Sequence, residues 1–300
     1  MGRIDEALRR VGQLPRTDVA SAGGTATAEA FVSPWAFREG TEPPVTQPSI
    51  PSNPLAAALD TPSGRAQHSF TRFSNAWLPR LVIAKDANRL LVEEFRQLAA
   101  TLHQAQAISS LRVVMVTSAE PNEGKSTTAL NLALTFSESY KRKVLLIDAD
   151  LRRPSLHEIT QVPNARGLGE TLKSTGDQKL PLFQLSDTLT LAPAGRPDSN
   201  PMGALTSPRM REMLAEAATR FDWVILDAPP IGLIADASLL APMTDGVLLV
   251  VRSRRTHYAA AQKAVDAIGR ERVLGVVLND VEVKTSPAYQ RYYHADSPGL

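Results

Sequence analysis

The sequence predicts an α/β fold: a mainly parallel sheet with helices on both faces, carrying a phosphate-binding loop and preceded by a disordered N-terminal segment. Three observations predict it. From residue 81 on, apolar runs of strand length (111–117, 144–148, 188–192, 222–227, 246–251 and 273–278) alternate with helical patterns near 88–106, 125–139, 207–220 and 257–269. Such alternation is the mark of a parallel sheet joined by crossover helices. Between the first run and its following helix lies Ala119-Glu120-Pro121-Asn122-Glu123-Gly124-Lys125-Ser126, an A-x-x-x-x-G-K-S loop with Ala in place of the usual first Gly. Two further runs end in aspartate, at Asp148-Ala149-Asp150 and at Asp227-Ala228-Pro229-Pro230.

Taken in order, residues 1–14 place Ile4, Leu8 and Val11 on one face, flanked by Arg3, Arg9 and Arg10. They read either as a short amphipathic helix or as a frayed terminus, because a helix this short is marginal alone. Residues 15–80 are a flexible linker. They hold nine of the chain's 22 prolines among Ser, Thr and Ala, with no sustained apolar period, and cannot bury enough surface to offset their ordering entropy. Residues 81–283 are the folded domain. Within it Ser207-Pro208 supplies an N-cap and a favoured first-turn proline, with Met210, Met213, Leu214 and Ala217 as the apolar face. Residues 284–300 form a mobile tail with Tyr289, Tyr292 and Tyr293, three of the chain's five tyrosines.

The loop needs a strand before it and a helix after it, and both are present. Backbone N–H groups of Glu120, Pro121's neighbours, Asn122, Glu123, Gly124, Lys125, Ser126 and Thr127 then face a polyphosphate, Lys125 adds charge, and the Ser126 hydroxyl suits magnesium. Residues i and i+2 at a strand end share a face, so Asp148 and Asp150 point into one crevice. Asp227 ends a second strand, and ligands of open parallel sheets sit beyond such ends. The three carboxylates with the loop describe a magnesium-nucleotide site, Ser126, Asp150 and Asp227 being the metal set.

Composition sets limits. A formal charge of +2 is too weak to argue for nucleic acid. The absence of cysteine excludes disulfides, thiolate metal sites and iron–sulfur clusters. No apolar stretch has the length of a membrane span, and the N-terminus lacks a signal-like core, so the expected location is cytoplasmic. His103, His157 and His257 have no metal-ligand spacing.

Over about residues 81–283 the chain resembles the bacterial tyrosine kinases of capsule and exopolysaccharide synthesis, P-loop proteins related to the partitioning ATPases. The resemblance rests on Thr117 to Thr127, on Leu146 to Pro154, on Leu191-Ala192-Pro193-Ala194-Gly195 with Asn200-Pro201, on Phe221 to Pro230, and on Asp245 to Val251. The second lysine typical of partitioning ATPases early in the loop is missing. The resemblance implies an ATP-dependent protein tyrosine autokinase using magnesium, with Lys125, Asp148 and Arg152 catalytic. Asn279 would contact the base, and Tyr289, Tyr292 and Tyr293 would be phosphorylated in trans. It also implies recruitment to the inner face of the membrane by a polysaccharide chain-length (co-polymerase) protein that activates it, and homo-oligomers on activation. Two departures stand out. Asn122 replaces a usual Gly, which Asn's tolerance of left-handed backbone accommodates. In the oligomerisation motif E-x-x-R-x-x-R, Glu93 and Arg96 match but Ala99 replaces the last arginine. The rival readings are a partitioning-type ATPase switch that phosphorylates no protein, and a nucleotide-binding regulatory subunit.

Overall fold

The computed structural model describes residues 73–174, 179–232 and 236–282. Residues 1–14, most of the linker and the 284–300 tail therefore lie outside the described residues. The elements, in chain order, are α1 (Arg89–Ser109), β1 (Val113–Ser118), α2 (Lys125–Glu138), β2 (Val144–Asp148), α3 (Leu156–Thr160) and α4 (Leu168–Lys173). Then come β3 (Phe183–Gln184), β4 (Leu189–Ala192), α5 (Met202–Leu205), α6 (Pro208–Arg220) and β5 (Trp223–Asp227). The last are α7 (Asp236–Leu240), β6 (Gly246–Arg252), α8 (Tyr258–Ile268) and β7 (Val273–Asn279).

The sheet order is β3-β4-β2-β5-β1-β6-β7, and every pairing is parallel except β3 with β4. Every residue of β1, β2 and β5 is buried, as expected of strands covered on both faces. Alternation along β1 divides the core. Val114 and Val116 face α1 and α2, while Val113 and Met115 face the layer that includes α6 and α8. The mainly parallel sheet with helices on both faces is thus as the sequence predicts.

Helix α2 is the central helix, with an unbroken buried run from Thr128 to Ser137. Phe136 on α2 stacks on Trp223 of β5, ring centroids 4.4 Å apart and planes 15° from parallel. The buried Asn131 accepts from the Val82 N–H (2.9 Å) and donates to the Arg80 carbonyl (2.9 Å), pinning the chain that leads into α1. Residues 73–80 read from sequence as the end of the linker. In the structure Phe73 is buried in the core, Ser74 N–H donates to the Ile159 carbonyl, and Leu78–Arg80 form a 3-10 turn. The proline and serine content of this stretch hides three aromatic or aliphatic anchors, Phe73, Trp77 and Leu78, that have partners only in three dimensions.

Helix α1 starts where Asn88 caps the Leu90 N–H. Its Glu93–Arg96 ion pair is exposed, whereas Ala99 is fully buried beneath the helix. Position 99, where the resemblance leads one to expect an arginine, thus lies on the packed side of α1. The two-residue antiparallel β3 has no counterpart in the sequence reading, being too short to show a period.

Candidate functional site

Three strands deliver the site. The register pairs Asp148 with Asp227 and Val116 with Asp227, so β2 and β5 end at one level and β1 runs two residues past it before the loop. The chain leaves β1 into the loop at 119–124 and enters α2 at Lys125. Asn122 (φ 62°) and Gly124 (φ 90°) both adopt the left-handed region, which curls the loop and turns successive N–H groups the same way. Asn tolerates this conformation, so the loop keeps its shape without a glycine at 122. Gly124 is the N-cap residue of α2 and no side chain caps the helix. Its first N–H groups therefore have no side-chain acceptor, as an anion site at a helix N-terminus requires.

The Lys125 ammonium lies 2.8 Å from Asp150 Oδ2 and 3.3 Å from Asp227 Oδ1. Burial alone would lower its pKa, but the Asp227 and Asp150 charges outweigh that and hold it above the ordinary lysine value. Asp227 is fully buried, and burial, despite the Lys125 charge, pushes its carboxyl above the usual range. Asp148 is also fully buried, and burial, followed by the Asp227 charge, raises it to about 8. Its Oδ2 accepts from the Ser155 and Leu156 N–H groups (both 3.1 Å) at the start of α3, and its Oδ1 from Asp150 N–H (3.3 Å). Asp150 is held in turn by the Arg153 N–H (3.1 Å).

These groups fit a magnesium nucleotide. Asp227 Oδ2 is buried with no hydrogen-bond partner among the described residues. It stands beside the Lys125 and Ser126 side chains, so hard oxygen donors converge at the mouth of the loop. No group of three His, Cys, Asp or Glu able to hold a metal exists among the described residues. An ion held by one or two carboxylates, a hydroxyl, phosphate and water does not need such a cage.

The structure brings together Lys125, Ser126, Asp148, Asp150 and Asp227. Two other sequence candidates, Arg152 and Asn279, have partners within the protein. The Arg152 guanidinium donates to Asp236 (Nε to Oδ2, 2.5 Å; Nη2 to Oδ1, 3.3 Å) and to the Ser199 carbonyl (2.5 Å). That forked pairing fastens the 148–153 turn to α7, while its neighbour Arg153 is exposed. The Asn279 side-chain amide donates to the Glu123 carbonyl (2.9 Å), so one of its two polar ends serves the loop itself. Tyr289, Tyr292 and Tyr293 lie outside the described residues.

Sequence reasoning missed Ser155, Thr256 and Asp236. The Ser155 hydroxyl donates to Ser126 Oγ (2.9 Å), and the Thr256 hydroxyl donates to the Glu123 carboxylate. Asp236 follows the Asp227 strand by nine positions, with no spacing rule to single it out.

Comparison with known proteins agrees with this geometry. Residues 114–293 match the family model described as the CobQ/CobB/MinD/ParA nucleotide binding domain. The chain is 37% identical over 227 residues to the tyrosine-protein kinase YwqD of Bacillus subtilis, covering 73% of this chain and 94% of that protein. It is 30% identical over 215 residues to the tyrosine-protein kinase CpsD of Streptococcus pneumoniae, covering 70% and 94%. Among solved structures, the kinase domain of the Escherichia coli tyrosine kinase ETK superposes with a TM-score of 0.60 at 30% identity, over 70% of this chain and 80% of that one. No helix among the described residues is long and apolar enough to cross a membrane. The chain belongs to the CobQ/CobB/MinD/ParA nucleotide-binding family and, within it, to the bacterial tyrosine-protein kinases.

Proposed function

We propose that the protein is an ATP-dependent protein tyrosine autokinase that regulates exopolysaccharide or capsule synthesis. The observation that carries the reading is the convergence of Lys125 with Asp148, Asp150 and Asp227 at three strand tips, in a chain whose relatives are tyrosine-protein kinases. Phosphoryl transfer depends on positioning and charge stabilisation more than on covalent chemistry. The loop from Glu120 to Thr127 cradles the phosphates of ATP. Lys125 follows the charge on the β- and γ-phosphates. Ser126, Asp150 and Asp227 hold magnesium, directly or through water. Bound magnesium supplies positive charge against the phosphate oxygens.

A tyrosine oxygen attacks the γ-phosphorus, the bond to the β,γ-bridging oxygen breaks, and ADP departs. Asp148 takes the hydroxyl proton. A free tyrosine titrates near 10. Burial holds the Asp148 carboxyl above the ordinary aspartate range, so its ionised form, once the site is loaded, is a stronger proton acceptor than an ordinary aspartate. Arg152 acts through its grip on Asp236, shaping the turn that carries Asp148 and Asp150. Asn279 contacts the base with its free carbonyl end.

Tyr289, Tyr292 and Tyr293 are the acceptors, reached in trans on a neighbouring copy. Residues 73–80 pack with residues 81–283 as the catalytic domain, leaving residues 15–72 as the linker and residues 284–300 as the substrate tail. A membrane polysaccharide chain-length protein recruits the chain to the inner face of the membrane and activates it. A succinoglycan biosynthesis transport protein of Rhizobium meliloti is 34% identical over 230 residues, and the match spans 28% of its length. That relation supports a working link between such a domain and polysaccharide transport.

The test is direct. Purified protein is incubated with magnesium ATP, with and without the partner's cytoplasmic peptide, and phosphosites are mapped by mass spectrometry. Phosphotyrosine at 289, 292 or 293, transferred also onto a Lys125→Met chain mixed with active protein, supports the reading. Steady phosphate release with no phosphotyrosine anywhere assigns the chain to the partitioning-type switches instead.

A further inference from the structure

The phosphate loop is held from one side by residues far away in sequence. Glu123 is 3% exposed although it lies in the loop between the exposed Pro121 and Asn122 and the half-buried Gly124. One carboxylate oxygen accepts the Glu120 N–H (2.8 Å), closing the loop on itself. The other accepts the Thr256 hydroxyl, from the turn between β6 and α8. Thr256 Oγ1 also accepts the Arg252 N–H (2.8 Å), and the Thr256 N–H donates back to the Arg252 carbonyl (3.0 Å). The Glu123 backbone carbonyl takes the Asn279 amide from the end of β7 (2.9 Å). A Cβ at position 124 would fall 2.0 Å from that same amide, so the Asn279 side chain lies directly against the loop backbone. Arg252 completes the set by pairing with Asp280 through Nε (2.8 Å) and Nη2 (2.7 Å).

We propose that Glu123 and Thr256 are positioning residues that lock the phosphate loop in its nucleotide-binding curl, tying it to the β6–α8 turn. Neither side chain points at the phosphates in this role. The carboxylate instead uses both oxygens within the protein. The loop N–H groups can then stay aimed outward, because the left-handed residues on either side of Glu123 are fixed by a buried anchor between them. Loss of the hydroxyl leaves a buried carboxylate oxygen without its donor, and the loop must shift or hydrate to satisfy it. The inference rests on the reading that residues 119–127 hold a nucleotide's phosphates.

The experiment measures binding of a fluorescent ADP analogue with magnesium, together with the melting temperature without nucleotide, for full-length Thr256→Val, Thr256→Ser, Glu123→Gln and Lys125→Met chains. Thr256→Val is expected to raise the dissociation constant at least fivefold, and Thr256→Ser, which keeps the hydroxyl, to stay within twofold of wild type. Glu123→Gln keeps the shape but weakens the acceptor, and an intermediate loss is expected. Thr256→Val that binds as wild type overturns the latch, whatever its melting temperature. Equal losses for Val and Ser overturn it as well, since packing and not the hydroxyl would then matter. Should Thr256→Val not fold, Glu123→Gln decides alone: wild-type affinity overturns the proposal. Lys125→Met separates the two levels of the argument. If it too binds normally, the phosphate site itself is misassigned; if it loses binding while Thr256→Val does not, only the latch fails.

Discussion

The floor of the site and its β6–β7 wall are built by different means. The floor is the tips of β1, β2 and β5, all fully buried strands in direct register. Its chemistry follows from local sequence: an apolar run, then an aspartate or a phosphate loop. The wall is the end of β6, the turn at Thr256 and the end of β7, where Val276 and Leu278 are exposed. Its contribution comes from single hydrogen bonds to residues more than a hundred positions away. The floor supplies charge, and the wall supplies shape.

Mutations on the two sides should therefore fail differently. The largest effect is expected from Lys125→Met on the floor, with phosphoryl transfer falling at least about a hundredfold, the scale seen when one preorganised charge-stabilising donor is removed. A radiolabel transfer assay on purified protein checks it. Wild-type rates would return the lysine to a structural role. The same change leaves Asp150 and Asp227 without their shared cation, so the variant is also expected to melt lower than wild type.

Asp227→Asn and Asp150→Asn should raise the magnesium concentration for half-maximal activity by about tenfold, roughly the 1.4 kcal/mol of one weakened contact to the ion. Titration curves that overlay wild type would exclude both from the metal set. Away from the floor, Asp236→Asn removes the buried partner of Arg152 and should cost about 1–3 kcal/mol in denaturant unfolding. Magnesium dependence should shift less than in Asp150→Asn or Asp227→Asn, because the carboxylates of the metal set are kept and only the turn that holds Asp150 loosens.

A separate effect concerns pH. Without nucleotide or metal, native Asp148 keeps its proton up to about pH 8, while the unfolded chain releases it near 4. Between those values the native state binds more protons, so this residue's contribution to stability is full below about 4 and is lost as pH rises toward 8. The Asp148→Asn variant lacks this carboxyl, and only Asp227, whose carboxyl burial also raises, is left to titrate there. The variant's melting temperature relative to wild type should climb from pH 5 to pH 8.5 and then level. A difference that stays flat would mean that Asp148 is ionised in the native protein.

Much of the floor is legible in the sequence because the information is local. The runs at 144–148 and 246–251 become β2 and most of β6, and the helix read at 207–220 becomes α6 within one residue. Ser207 caps the Met210 N–H, with proline at the first position, as its Ser-Pro pair announces. Asp148, Asp150 and Asp227 converge because strand ends in a parallel sheet share an edge. What was not legible is tertiary. Arg152 looks like a free cation until Asp236 occupies it. Thr256 is one of many threonines until the turn brings it to Glu123. Phe73 and Trp77, set among prolines and serines, look like linker until the core provides a surface for them.

The bond from Asn279 to Glu123 spans 156 residues of sequence. The ribosome delivers the loop long before it delivers the strand that braces it. A chain emerging from the exit tunnel can form β1 and begin α2, yet its loop lacks the amide and the hydroxyl that hold it until β6, α8 and β7 have docked. Contacts of such separation form late and fold slowly. On the proposed brace, nucleotide competence is among the last properties the nascent protein acquires, and a truncated translation product ending before β7 would carry the complete motif without its brace.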